Sequence, residues 1–311
     1  MANHHPRSTL ILKEFLARNE DIMKTIKAFI QRHPVLTYFA LAFAISWGGI
    51  LIVVGPGGIP ATNKEQIDRL FPIAILAMVA GPSVAGIVLT GLLHGRAGLR
   101  EFGSRLLRWR VGARWYAVAL LTAPLVFTAV LLTLSLTSSE FLPDILTSND
   151  KASVLLMGIF AGLMAGIFEE LGWTGFAVPT LLRMRYGVLG TGLIVGLPWT
   201  VWHLLVTFWA SGTISGEFAL ASYLLDPFLF LVAYRILMVW VYDRTGSLLV
   251  AILMHTSLTA SALILGAGIA GVPLVTFDLI WAAVLWAVVA AVAVANGGHL
   301  SQRPPLRRRV A

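Results

Sequence analysis

Six of the ionisable side chains inside long apolar stretches of this sequence are of types that could do chemistry together. They are Glu169 and Glu170 in GLMAGIFEELGWTGFAVP, His203 in LPWTVWHLLVTFW, Asp226 and Arg235 in LLDPFLFLVAYRILMVW, and His255 in AILMHTSLTAS. An ionised group at the centre of a membrane helix costs ~2.5–3.5 kcal/mol on insertion scales, so such residues are candidates for function by default. Neighbours on a helix point ~100° apart, so Glu169 and Glu170 cannot face one reacting group and must have different roles. Glu170 shares a face with Thr174, and Glu169 shares one with Trp173. One carboxylate can then point into a cavity while the other hydrogen-bonds a neighbouring helix. Trp199 and His203 are also one turn apart, as are His255 and Thr259.

A carboxylate, two imidazoles and a few hydroxyls suit the activation of water. Glu169 would take a proton from water as it attacks a carbonyl, while His203 and His255, assisted by Thr259, hydrogen-bond the oxyanion or the leaving nitrogen. The reaction class is hydrolysis of a peptide bond within or beside the membrane. Other uses fit the same residue types. His203, His255 and a glutamate can ligate zinc and leave one position for water, although no HExxH helix is present. Glu169, Glu170, Asp226 and Arg235 can also form the relay of a proton-coupled transporter, or the helix lock of a catalytically silent partner or immunity protein. Asp226, followed by Pro227, reads as a helix cap, and Arg235 as a cation able to pair with a glutamate on the fourth span.

Positioning such groups requires long apolar elements, and the composition supplies them. The 311 residues are 58% hydrophobic and 12% charged, with a mean hydropathy of +0.83, too apolar for a water-soluble domain. Eight runs, near 35–55, 71–93, 116–137, 152–182, 188–210, 223–242, 247–270 and 276–296, approach or exceed the ~20 residues needed to cross a bilayer. Lipid offers backbone groups no hydrogen-bond partners, and the runs are too long for barrel strands. The expected fold is therefore an all-α, polytopic transmembrane helix bundle of about eight spans. The fourth run is long for one crossing, which predicts a strong tilt or a start outside the hydrocarbon.

The net charge of +8 is distributed unevenly. Of the 23 Lys and Arg, 19 lie before the first run, in alternate connections or in the C-terminal tail, and only Lys64, Arg69 and Lys151 lie in the opposite connections. This asymmetry predicts an integral inner-membrane protein with both termini cytoplasmic. The arginines from Arg96 to Arg114, with Trp109 and Trp115, form a loop suited to anionic lipid headgroups rather than nucleic acid. Residues 1–33 read as a cytoplasmic amphipathic arm with Ile22, Ile26, Phe29 and Ile30 on one face, and not as a cleaved signal. Residues 34–298 read as a single transmembrane domain, and 299–311 as a basic cytoplasmic tail. The absence of cysteine excludes disulfides and thiolate chemistry, and no internal repeat supports an inverted-repeat transporter.

The chemistry-bearing segments resemble the CPBP family of intramembrane endopeptidases, also called the CAAX prenyl endopeptidase and ABI family. That family carries EExxxR, aromatic-xxxH and HxxxN-like motifs on successive membrane helices. Here EELGWT, WTVWH and HTSLT stand in the same order within about 150–265. The resemblance implies that Glu169 activates water, that Glu170 is its supporting acid, and that His203 and His255 are the catalytic histidines. It also implies a mechanism without a metal cofactor and a membrane-anchored protein or peptide substrate, as in removal of the last three residues of a prenylated CAAX protein. Two positions depart from the pattern. Thr259 replaces the asparagine, and Thr174 replaces the arginine, which deprives Glu170 of a cation one turn away unless Arg183, Arg185 or Arg235 substitutes through space.

Overall fold

The computed structural model describes residues 6–301 apart from 60, 62, 212–216, 267, 268 and 270, and contains no strand among them. The helices are α1 (Pro6–Arg32), α2 (Pro34–Val54), α3 (Lys64–Leu106), α4 (Ala113–Ser135), the short α5 (Asp144–Thr147), α6 (Lys151–Gly172), α7 (Val178–Arg183), α8 (Gly187–Ala210), α9 (Glu217–Thr245), α10 (Leu248–Leu265) and α11 (Gly271–Ala295). This is an all-α polytopic bundle. Seven of its helical rods are long and apolar enough to cross a membrane. The eighth expected span, 223–242, falls within α9, a helix of 29 residues.

Three local features add to or correct the expectations. The long fourth run is one helical rod, Lys151–Arg183, in which a π-helical turn at Trp173–Ala177 follows the two glutamates and leads into α7. A π turn widens the helix by one residue and recurs at functional sites. The arginine-rich segment is helical as far as Leu106: Gly95, at φ +58° and ψ −153°, is non-helical and divides α3 into two helices joined at a kink. Asp226 does not start a helix, because α9 begins at Glu217 and Pro227 lies inside it; its side chain falls outside the described set.

The core is organised around α10, which packs against α6, α4 and α9, while α3 covers one side of α6 with α2 packed on α3, and α8 and α11 flank α9. Small residues set the closest approach. Gly158, Gly162 and Gly166 recur every four residues on α6, and a Cβ on Gly162 would come 2.6 Å from the Thr256 carbonyl oxygen, one on Gly166 2.7 Å from that of Ile252. Lipid supplies no hydrophobic drive for helices to associate, so such backbone-to-backbone packing holds them together. Continuing the row by one turn places Glu170 on this same seam, facing α10, and the next turn brings Thr174. The glycine spacing thus decides which of the two acids meets α10.

Candidate active site

Glu170 is the anchored carboxylate. It is fully buried and accepts hydrogen bonds from Arg235 Nη1 on α9 at 2.8 Å, from His255 Nδ1 on α10 at 2.7 Å, and from Thr174 Oγ1 one turn along its own helix. A carboxylate cannot donate, so the proton of this His255 contact lies on Nδ1. Arg235 reaches across because α8 and α9 are close: a Cβ on Gly196 would come 3.3 Å from the Arg235 Cβ. Its guanidinium carbon lies 4.0 Å from the centroid of the Trp199 ring, a cation–π contact. The cation absent from position 174 is therefore provided by another helix. Its Nε and Nη2 have no hydrogen-bond partner among the described residues.

Glu169 faces a different set of groups. Its Oε2 accepts from Trp199 Nε1 on α8 at 2.7 Å, and its Oε1 stands 3.9 Å from His255 Nε2. The indole thereby fixes one carboxylate oxygen and leaves the other turned toward the imidazole. His203 Nδ1 donates to the Trp199 carbonyl at 2.8 Å, which leaves Nε2 as its open ring nitrogen. The Trp199 ring is in edge contact with both imidazoles, His203 at 5.8 Å and His255 at 5.2 Å between centroids. Trp199 is thus the common neighbour of Glu169, His203, His255 and Arg235, a broader part than its one-turn spacing from His203 suggests. The cluster holds two carboxylates against one guanidinium.

Access differs sharply among these residues. Glu169, Glu170, His255, Trp199, Thr174 and Arg235 are all buried, whereas His203 and Thr259 are half-buried. Thr259 joins none of these hydrogen bonds. Arg183 bonds Thr180, so Arg235 is the one of the three candidate cations that pairs with Glu170. No group of three or more His, Asp or Glu among the described residues is placed to hold a metal ion.

Sequence reasoning missed the contribution of α2 and α3. Tyr38 is fully buried, with its ring 5.5 Å from Trp173 and 5.4 Å from Phe176. Its hydroxyl has no hydrogen-bond partner among the described residues. A Cβ on Gly172 would lie 2.4 Å from that hydroxyl and 2.2 Å from the Pro82 carbonyl, so only glycine fits behind the glutamates. Ser83 adds a hydrogen bond from α3 to the Phe168 carbonyl. The available signal was a tyrosine in the otherwise apolar PVLTYFALAF.

Because Arg235 already serves Glu170, restoring arginine at position 174 is expected to harm the fold. Thr174 is 1% exposed, and a second guanidinium there would crowd the first and overpack the seam. We expect Thr174→Arg to cost ~1–3 kcal/mol, measured as a lower thermal midpoint in detergent or bilayer. An unchanged or higher midpoint would mean that Glu170 lacks adequate compensation.

Comparison with known proteins agrees with this constellation. Residues 151–261, which hold every residue of the cluster, match the family model described as Type II CAAX prenyl endopeptidase Rce1-like. The chain is 24% identical over 227 residues to CAAX prenyl protease 2 of Methanococcus maripaludis, an alignment covering 70% of this chain and 80% of that protein. The segment that carries the cluster is thus similar to CAAX-type membrane endopeptidases.

Proposed function

We propose that the chain is an intramembrane endopeptidase that hydrolyses a peptide bond near a membrane anchor, with Glu169 activating water and no metal taking part. The carrying observation is the pair of facing groups, Glu169 Oε1 and His255 Nε2, 3.9 Å apart. One water at ordinary hydrogen-bond distances of ~2.8 Å from both subtends an angle of about 90° there, close to what its two hydrogens can serve. Glu169 takes one proton as the water oxygen bonds to the substrate carbonyl carbon. The carbon–nitrogen bond then breaks, and the leaving nitrogen receives that proton directly or by way of His255. His255, held through Nδ1 by Glu170, accepts from the water at Nε2 and passes a proton to the leaving nitrogen, while His203 Nε2, unprotonated when Nδ1 donates to the Trp199 carbonyl, is left to accept from the substrate. Thr259 assists from one turn beyond His255.

The substrate class that the named relative suggests is a membrane-anchored, CAAX-type protein or peptide. The charge asymmetry supports an inner-membrane site with both termini cytoplasmic. The arginines near Arg96–Arg114 are available to anionic headgroups, except Arg105, which is buried and donates to Tyr242 at 2.9 Å. The test is a cleavage assay on full-length protein in liposomes, using a prenylated peptide with a CAAX ending and detecting the released C-terminal tripeptide by mass spectrometry. We expect release that a metal chelator leaves unchanged. Loss of release on chelation, recovered with zinc, would transfer the water to a metal; no release would reject this substrate class.

A further inference from the structure

A cavity lies where the ends of α4, α9 and α11 meet. It has a volume of about 260 Å³ and is lined by Arg114, Trp115, Val118, Trp240, Arg244 and Asn296. No acidic side chain is among these lining residues, and Asp243, the adjacent acid in sequence, is not one of them. Arg244 is tethered from behind: its Nη2 donates to Asn296 Oδ1 at 2.8 Å and to the Leu300 carbonyl at 3.5 Å. Its Nε has no hydrogen-bond partner among the described residues, and neither does the indole nitrogen of Trp240, although both atoms are buried. Trp240 packs edge-on against Trp115 at 5.0 Å, and the Arg114 guanidinium lies 5.2 Å from the Trp115 ring.

Two positioned guanidinium groups with unused N–H donors make a site for an anion. The C-terminal ends of α9 and α11 oppose it, but each contributes only roughly half a negative charge, against two full positive charges and the positive end of α4. Guanidinium and indole N–H groups favour the oxygens of phosphate esters, and tryptophans at helix ends suit the headgroup layer of a membrane. The volume lies just below the ~300–1,000 Å³ typical of small-ligand sites. It admits a headgroup but not a lipid's chains, which would remain outside along the bundle.

The geometry points to a binding site for the phosphoryl headgroup of an anionic phospholipid, held by Arg114, Arg244 and Trp240. Because α9 also carries Arg235, an occupied cleft would stabilise the helix that neutralises Glu170. The site is independent of which reaction the glutamates perform.

The experiment places full-length protein in nanodiscs of phosphatidylcholine alone or with phosphatidylglycerol, and reads the rise in thermal midpoint caused by the anionic lipid. Each variant is compared with itself across the two lipids, so packing losses cancel. We expect a rise of ~5 °C for the parent chain. The rise should fall by half or more in Arg114→Gln and in Trp240→Phe, which keeps a ring but removes the unused donor. It should persist in an Arg185→Gln control, an exposed arginine that does not line the cleft. An undiminished rise in both cleft variants, or an equal loss in the control, would overturn the site. An equal rise from inorganic phosphate in phosphatidylcholine discs would overturn the lipid as its source.

Discussion

Glu169→Gln is expected to reduce peptide hydrolysis by roughly 10²–10⁴-fold, the range spanned by loss of one acid–base group. The amide oxygen can still accept from Trp199 Nε1, now 2.7 Å from the carboxylate, so the helices should remain in register. One buried negative charge is removed from a cluster with two acids and one arginine, so the thermal midpoint should hold or rise. Single-turnover cleavage of the prenylated peptide in liposomes, with a melting curve on the same sample, separates chemistry from folding. Turnover within tenfold of the parent would remove Glu169 from the proposed mechanism.

Arg235→Met should have the largest effect on stability. It strands Glu170, a fully buried carboxylate, without the guanidinium 2.8 Å away. Breaking a buried pair from one side typically costs ~3–5 kcal/mol, whereas removing both charges is often neutral or stabilising. The Arg235→Met, Glu170→Gln double variant should therefore recover most of the lost stability, and a double-mutant cycle in denaturant measures the coupling. Activity should not return with stability, because Glu170 also holds His255 Nδ1 at 2.7 Å. A double variant no more stable than Arg235→Met would show that the pair is not what Arg235 contributes.

Much of the scaffold was legible because the membrane imposes length and composition on its helices. The apolar runs coincide closely with α2, α4, α8, α10 and α11. The rarity of charge within them drew attention to Glu169, Glu170, Arg235, His203 and His255, which the structure gathers around Trp199. Their division of labour was less visible. Adjacent glutamates must diverge, but which one meets α10 depends on the Gly158, Gly162 and Gly166 seam, and this is a relation between helices. The reach of Arg235 to a residue 65 positions away leaves no periodic trace in a local motif, nor does the bond from Trp199 to Glu169. Arg105 shows the opposite error: counted with its neighbours as a surface cation, it is buried against Tyr242.

The glycine seam has a further consequence for how a polypeptide could reach the acid. With backbone carbonyls of α10 where side chains on α6 would have to go, those two rods leave no gap between them through which a chain could enter. His203 and Thr259 retain open surface, so a chain in transit would thread past them, along the edge where α8 and α10 border the cluster. For the proposed protease, bulky replacements beside His203 and Thr259, at positions outside the cluster, would block entry while leaving the proton chemistry behind it untouched.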